Sequence, residues 1–145
     1  MTRKTANCIL AGLAACALAV IWHATHGISM FAKVDLAADD GICTEADLRD
    51  AVSIVRKEFR GFDGCVMQSL RYNADMTQQE RDTLAQTGHS PLGDDFDEII
   101  VLESDFTTSK AFSSITYQGC AQQGFQWIIT RQNGGEWELK TAGYA

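Results

Sequence analysis

TEADLRDAVSIVRKEFR, residues 44–60, decides the fold of this chain. Thr44 is a helix cap by type, and Glu45 and Asp47 follow in the first turn, where the helix dipole favours anions. Arg56, Lys57 and Arg60 load the other end with cations. Between them Leu48, Val52, Val55 and Phe59 recur at helical spacing, with Ala51 beside them. Such a stripe has to lie on something apolar. Gly61 and Gly64 end the run.

The C-terminal half of the chain supplies that surface. Residues 65–72 read as a strand, with Val66, Leu70 and Tyr72 on one face. Thr77-Gln78-Gln79-Glu80 has the capping-box pattern and predicts a short helix from Thr77 to Gln86. Residues 98–106 form an apolar strand around Ile99-Ile100-Val101-Leu102, and 110–118 form a weaker one. Residues 125–131 and 136–141 flank Asn133-Gly134-Gly135, a hairpin signal. The order predicts an α+β domain: a long amphipathic helix packed on a curved antiparallel sheet, cone-like in the manner of cystatin-like or nuclear-transport-factor-like domains.

Upstream the composition changes. Residues 5–32 contain no Asp, Glu, Lys or Arg; Arg3 and Lys4 precede them, and Asp35, Asp39 and Asp40 lie beyond them. This is the charge pattern of a membrane-entering segment whose N-terminus stays in the cytoplasm. The chain divides into a signal or anchor segment (1–32), a short tether (33–43) and one extracytoplasmic domain (44–145). The segment fits three readings. One is an uncleaved anchor. Another is a cleaved secretory signal, with Gly27-Ile28-Ser29 as the best small-x-small match. The third is a lipoprotein signal, in which Leu13-Ala14-Ala15-Cys16 is the lipobox and Cys16 the acylated residue. His23 and His26 share a helical spacing but lack further ligands nearby, and read as interfacial residues.

Without Arg3 and Lys4 the remainder has 10 basic against 19 acidic residues. Taken as a whole, such a surface repels nucleic acid and anionic lipid headgroups. No cofactor motif is present. Asp94-Asp95-Phe96-Asp97-Glu98 lacks the alternating calcium-loop pattern and reads as a solvated charge run, so no metal site is expected. His89 stands alone in a loop with no visible catalytic partner, so no catalytic residue is assigned. Tyr117, Phe125, Trp127, Trp137 and Tyr144 gather in the C-terminal part, as core or as a contact surface.

Several blocks in order carry a resemblance. They are Phe62-Asp63-Gly64-Cys65 after the helix, Val101-Leu102-Glu103-Ser104-Asp105-Phe106, Phe125-Gln126-Trp127-Ile128-Ile129-Thr130-Arg131, and Gly135-Glu136-Trp137-Glu138-Leu139 with Gly143-Tyr144. Together they resemble an uncharacterised family of small secreted or lipoprotein domains from clostridia and related Firmicutes. The resemblance covers residues 44–144 and implies an extracytoplasmic domain of unknown function, with no activity attached. Ala142 stands where that family tends to place a tryptophan. Cys43 and Cys120 also depart from its pattern, whereas Cys65 matches it. Helix 44–60 is about 25 Å long, which separates Cys43 from Cys65 beyond disulfide reach. With the two departures taken as a pair, a Cys43–Cys120 disulfide is expected, with Cys65 buried and unpaired. The functional expectation is a binding or accessory module at the cell envelope, whose partner is an envelope protein or a small ligand. The alternative is a small enzyme with a pocket between helix and sheet.

Overall fold

A computed structural model describes residues 28–37, 41–88, 90, 92–93, 95–108 and 121–144. Strand β1 (Ile28–Asp35) is followed by helix α1 (Glu45–Phe59), β2 (Cys65–Tyr72), helix α2 (Ala74–Thr87), β3 (Glu98–Thr108), β4 (Ala121–Arg131) and β5 (Glu138–Gly143). The fold is α+β, with a five-stranded sheet in the order β1-β2-β3-β4-β5. The sheet is mixed rather than purely antiparallel: β2 to β5 alternate in direction, and β1 runs parallel to β2.

α1 forms as its sequence predicts. The Asp47 N–H donates to Thr44 Oγ1, and the Thr44 N–H donates back to the Asp47 carboxylate. This reciprocal box satisfies two of the helix's orphan amides. Leu48, Ala51, Val52, Val55 and Phe59 are buried against the sheet. Their counterparts are Cys65, Met67, Leu70, Tyr72, Ile100, Leu102, Phe106, Trp127 and Ile129. Side chains thus fill the layer between α1 and the sheet. At one end of it Phe59, Phe62, Phe106, Phe125 and Trp127 form an aromatic cluster, with neighbouring centroids 5.1–6.2 Å apart. Such offset and edge-on contacts suit the ring quadrupoles.

Four expectations are corrected. On β2 the core-facing set is Cys65, Met67, Leu70 and Tyr72, not Val66 with Leu70 and Tyr72. A register shift between Met67 and Ser69 inserts one residue and changes the phase of the alternation. α2 starts at Ala74, not Thr77; Asn73 caps it by accepting from the Met76 N–H at 3.0 Å. Residues 33–35, expected in a tether, pair with Ser69, Leu70 and Arg71. Antiparallel pairing throughout fails because β1 returns through α1 and so enters beside β2 in the same direction. The expected strand at 110–118 lies outside the described residues.

Thr77 has a different task from capping. β2 ends at Tyr72 opposite Leu102, which leaves the first residues of β3 without a neighbouring strand on that side. Side and main chains of α2 and its cap take the strand's place. The Asn73 N–H donates to the Val101 carbonyl at 2.9 Å, and the Val101 N–H donates to Thr77 Oγ1 at 3.0 Å. Arg81 Nε donates to the Ile99 carbonyl at 3.2 Å. Thr77 is fully buried in this arrangement.

Left-handed backbone shapes the β4–β5 hairpin and a bulge within β4. In the β4–β5 hairpin Asn133 and Gly134 have φ of 52° and 66°, and the Gly135 N–H closes the turn on the Gln132 carbonyl at 2.9 Å. That is the conformation Asn-Gly adopts at least cost. At the register shift between β3 and β4, Gly124 has φ of 70°, and its N–H reaches the Asp105 carboxylate at 3.0 Å.

The domain has two distinct ends. The start of β1, the end of α1, Cys65, Thr108 and Ala121 share one, the entry end, toward which the Tyr144 hydroxyl reaches at Gln122. The start of α1, Glu98, Arg131 and the β4–β5 turn share the other, the hairpin end. Cys43 is near the hairpin end, accepting hydrogen bonds from the Tyr72 hydroxyl and Arg81 at 3.5 Å. The expected Cys43–Cys120 disulfide involves Cys120, which lies outside the described residues. Cys65 is buried and makes no disulfide.

Candidate functional site

At the hairpin end, Arg131 is the hub of a polar network. Its Nε and Nη2 donate to the two Glu98 oxygens at 2.7 and 2.6 Å, a bidentate fork. Its Nη1 donates to Asp47 Oδ1 at 2.8 Å, and its guanidinium lies 4.3 Å from the Trp137 ring centroid. Trp137 Nε1 donates to the same Asp47 oxygen at 3.0 Å, while Thr44 Oγ1 donates to the other at 2.6 Å. One carboxylate therefore caps α1, pairs with β4 and anchors the chain leading into β5. Burial pushes the Asp47 carboxyl up. The hydrogen bonds from Thr44 and Trp137, with the Arg131 charge, outweigh that and hold it below its ordinary value. Arg131 is shifted up, first by its hydrogen bonds to Glu98.

Beside this hub runs a groove of about 380 Å³, lined by Asp95, Phe96, Arg131, Glu136, Glu138 and Lys140. Lys140 closes one side through its ion pair with Asp95. Its lining is charged, and its carboxylates can accept a polar or cationic group. The charged lining sets it apart from the mostly apolar clefts in which small molecules usually bind.

A second network lies on the sheet. Arg71 pairs with Glu103 and with Asp105, the latter at 3.0 Å. Ser69 Oγ donates to Asp105 at 2.8 Å, and Asn73 Nδ2 donates to Glu103 at 3.0 Å. Asp105 is raised by burial but lowered more by the Gly124 N–H, Ser69 and Arg71, and the net shift is downward. Both networks join neighbouring strands, and cross-strand opposite charges of this kind stabilise a ladder.

These shifts have a pH consequence. Asp47 and Asp105 have folded-state pKa values below the ordinary 3.8. Their stabilisation is fully present above the unfolded-state value and is lost as pH falls through the folded-state values. Chemical denaturation should show a flat stability from neutral pH to just above the carboxylate range and a decline below it. Asp47→Asn should flatten part of that decline; an unchanged acid limb would show that Asp47 is not coupled to folding.

Residues flagged by their sequence context scatter. Cys16, His89, Asp94 and Cys120 lie outside the described residues. The rest of the acidic run disperses: Asp95 pairs with Lys140, Asp97 accepts the Asn133 N–H at 3.0 Å, and Glu98 pairs with Arg131. Among the described residues no group of His, Cys, Asp and Glu could hold a metal ion. Cys65 has its thiol pKa raised by burial and then by the nearby Asp63 charge, which suppresses the reactive thiolate. Of the expected aromatics, Trp127 and Trp137 are buried, Phe125 is half-buried, and Tyr144 is exposed. The Arg131 hub has almost no signature in the sequence; its one local signal, Thr44-x-x-Asp47, reads there as a cap alone.

The chain matches no protein-family model, no curated protein and no solved structure.

Proposed function

We propose that this chain is a membrane-tethered or secreted extracytoplasmic domain that serves as a non-enzymatic binding or accessory module at the cell envelope. The observation that carries this is the uncharged run after Arg3 and Lys4, which passes directly into an acidic domain. The resemblance to small secreted and lipoprotein domains agrees with it. The state of the polar side chains supports a binding role over catalysis. Asp47 and Asp105 are fixed by arginines and held ionised, whereas a general acid needs a carboxyl shifted upward. A pocket between helix and sheet is disfavoured, because Leu48, Val55, Phe59 and Trp127 fill that layer without exposure. The groove at the hairpin end, rimmed by Glu136 and Glu138, is the surface assigned to an envelope partner or small ligand. Among the described residues no helix is long and apolar enough to cross a membrane, and residues 5–27 of the uncharged run lie outside them.

A topology reporter tests the location. Alkaline phosphatase fused after Tyr144 should be active and green fluorescent protein at the same position dark. The reverse pattern would place the domain in the cytoplasm and overturn the proposal.

A further inference from the structure

The described residues begin within a strand. Residue 28 is already in β1, opposite Met67, and the uncharged stretch 5–27 leads straight into it. A run of 23 residues falls within the length that a membrane span needs, roughly 17–25 residues. On the anchored reading of the proposed function, on which this inference rests, the entry end of the domain emerges at the lipid headgroups. Among the described residues, the register then puts the close of α1 on that side.

That end is chemically distinct. Arg56, Lys57 and Arg60 are exposed at the close of α1, against the two exposed carboxylates Glu58 and Asp63. Tyr144 is 55% exposed, and its ring packs edge-on against Phe125 at 5.1 Å while its hydroxyl donates to Gln122. A tyrosine with one apolar and one wet side suits a membrane interface. The opposite end exposes Glu45, Asp50, Asp95, Asp97, Glu136 and Glu138 against the exposed cation Arg49. The net acidic charge that repels headgroups is therefore unevenly placed. It is polarised along the axis that the anchor imposes, cationic toward the membrane and anionic away from it.

We propose that the entry end, through Arg56, Lys57, Arg60 and Tyr144, rests on anionic phospholipid headgroups of the membrane that holds residues 5–27. The domain then stands upright, with the acidic groove turned outward. Each cation near an anionic surface adds a modest attraction, and the anchor supplies the high local concentration that makes such contacts persist.

The test uses the full chain in vesicles of phosphatidylcholine and phosphatidylglycerol, about 3:1, with a headgroup spin-labelled lipid as quencher. A fluorescent amino acid replaces Tyr144 or, separately, Glu136. The expected result is quenching at position 144 at least about threefold that at 136, falling toward parity in pure phosphatidylcholine. The exposed triple variant Arg56→Glu, Lys57→Glu, Arg60→Glu should also lose the difference, with its circular dichroism unchanged. Equal quenching at both positions in the anionic vesicles overturns the inference, as does a difference that survives the triple variant or the neutral lipid. A chain that fails to co-float with either vesicle overturns the anchored reading itself, and this inference with it.

Discussion

Trp127→Ala removes about 3–5 kcal/mol of stability, the range for emptying a buried aromatic site. Trp127 is the largest side chain in the domain with no exposure. Its ring meets Phe59, Phe62 and Phe125, so truncation opens a void that no single neighbour can fill. It also strips a partner from Ser104, whose hydroxyl accepts the indole N–H at 2.9 Å in a fully buried position. A domain of this size has about 5–15 kcal/mol in total, so the variant is close to unfolding at physiological temperature. Trp127→Phe separates the two contributions. It retains most of the volume and should cost about 1–3 kcal/mol, for the lost ring and the poorly satisfied serine. Urea titration of both variants checks this. A Trp127→Ala loss under about 1 kcal/mol would mean that the α1–sheet layer is not packed as described.

Arg131→Ala has the second largest expected effect. The substitution leaves Asp47 and Glu98 facing each other without their shared cation and uncovers the Trp137 ring. Breaking a fully buried pair costs about 3–5 kcal/mol; these groups retain some solvent access, which lowers the expectation to about 2–3 kcal/mol. Arg131→Lys should recover less than half, because an ammonium cannot make the bidentate fork to Glu98 while reaching Asp47. A double-mutant cycle with Asp47→Asn should give a coupling of about 1 kcal/mol or more. Additive losses would show that the two residues act independently.

How much of the fold is legible in the sequence depends on how local the information is. α1 can be read residue by residue because its cap, charges and apolar stripe all lie within 17 positions. The main strands are legible as apolar runs, with ends displaced by a few residues. β1 is not legible. Its residues lie in and just after an uncharged stretch that satisfies the pattern of a membrane segment, and its parallel pairing depends on β2 some 35–40 positions away. Thr77 misleads because its spacing to Glu80 imitates a capping box, while the true cap, Asn73, is four residues earlier. The Arg131 hub joins Asp47 to a residue 84 positions distant, a juxtaposition that only the completed sheet creates. The acidic run looks like one feature in sequence. Alternation and a turn send its members to three different partners.

The way α2 finishes β3 bears on how the domain behaves in company. A strand with free amides along its side is a template on which another molecule can begin a shared sheet, the first step toward fibrils and precipitates. The start of β3, with Ile99-Ile100-Val101-Leu102, has the apolar, β-branched composition that makes such growth favourable. One threonine hydroxyl, one asparagine amide and one arginine occupy those positions instead. The stretch of the chain best suited to self-assembly is thus shielded by three side-on contacts, and the domain can stay monodisperse at high concentration.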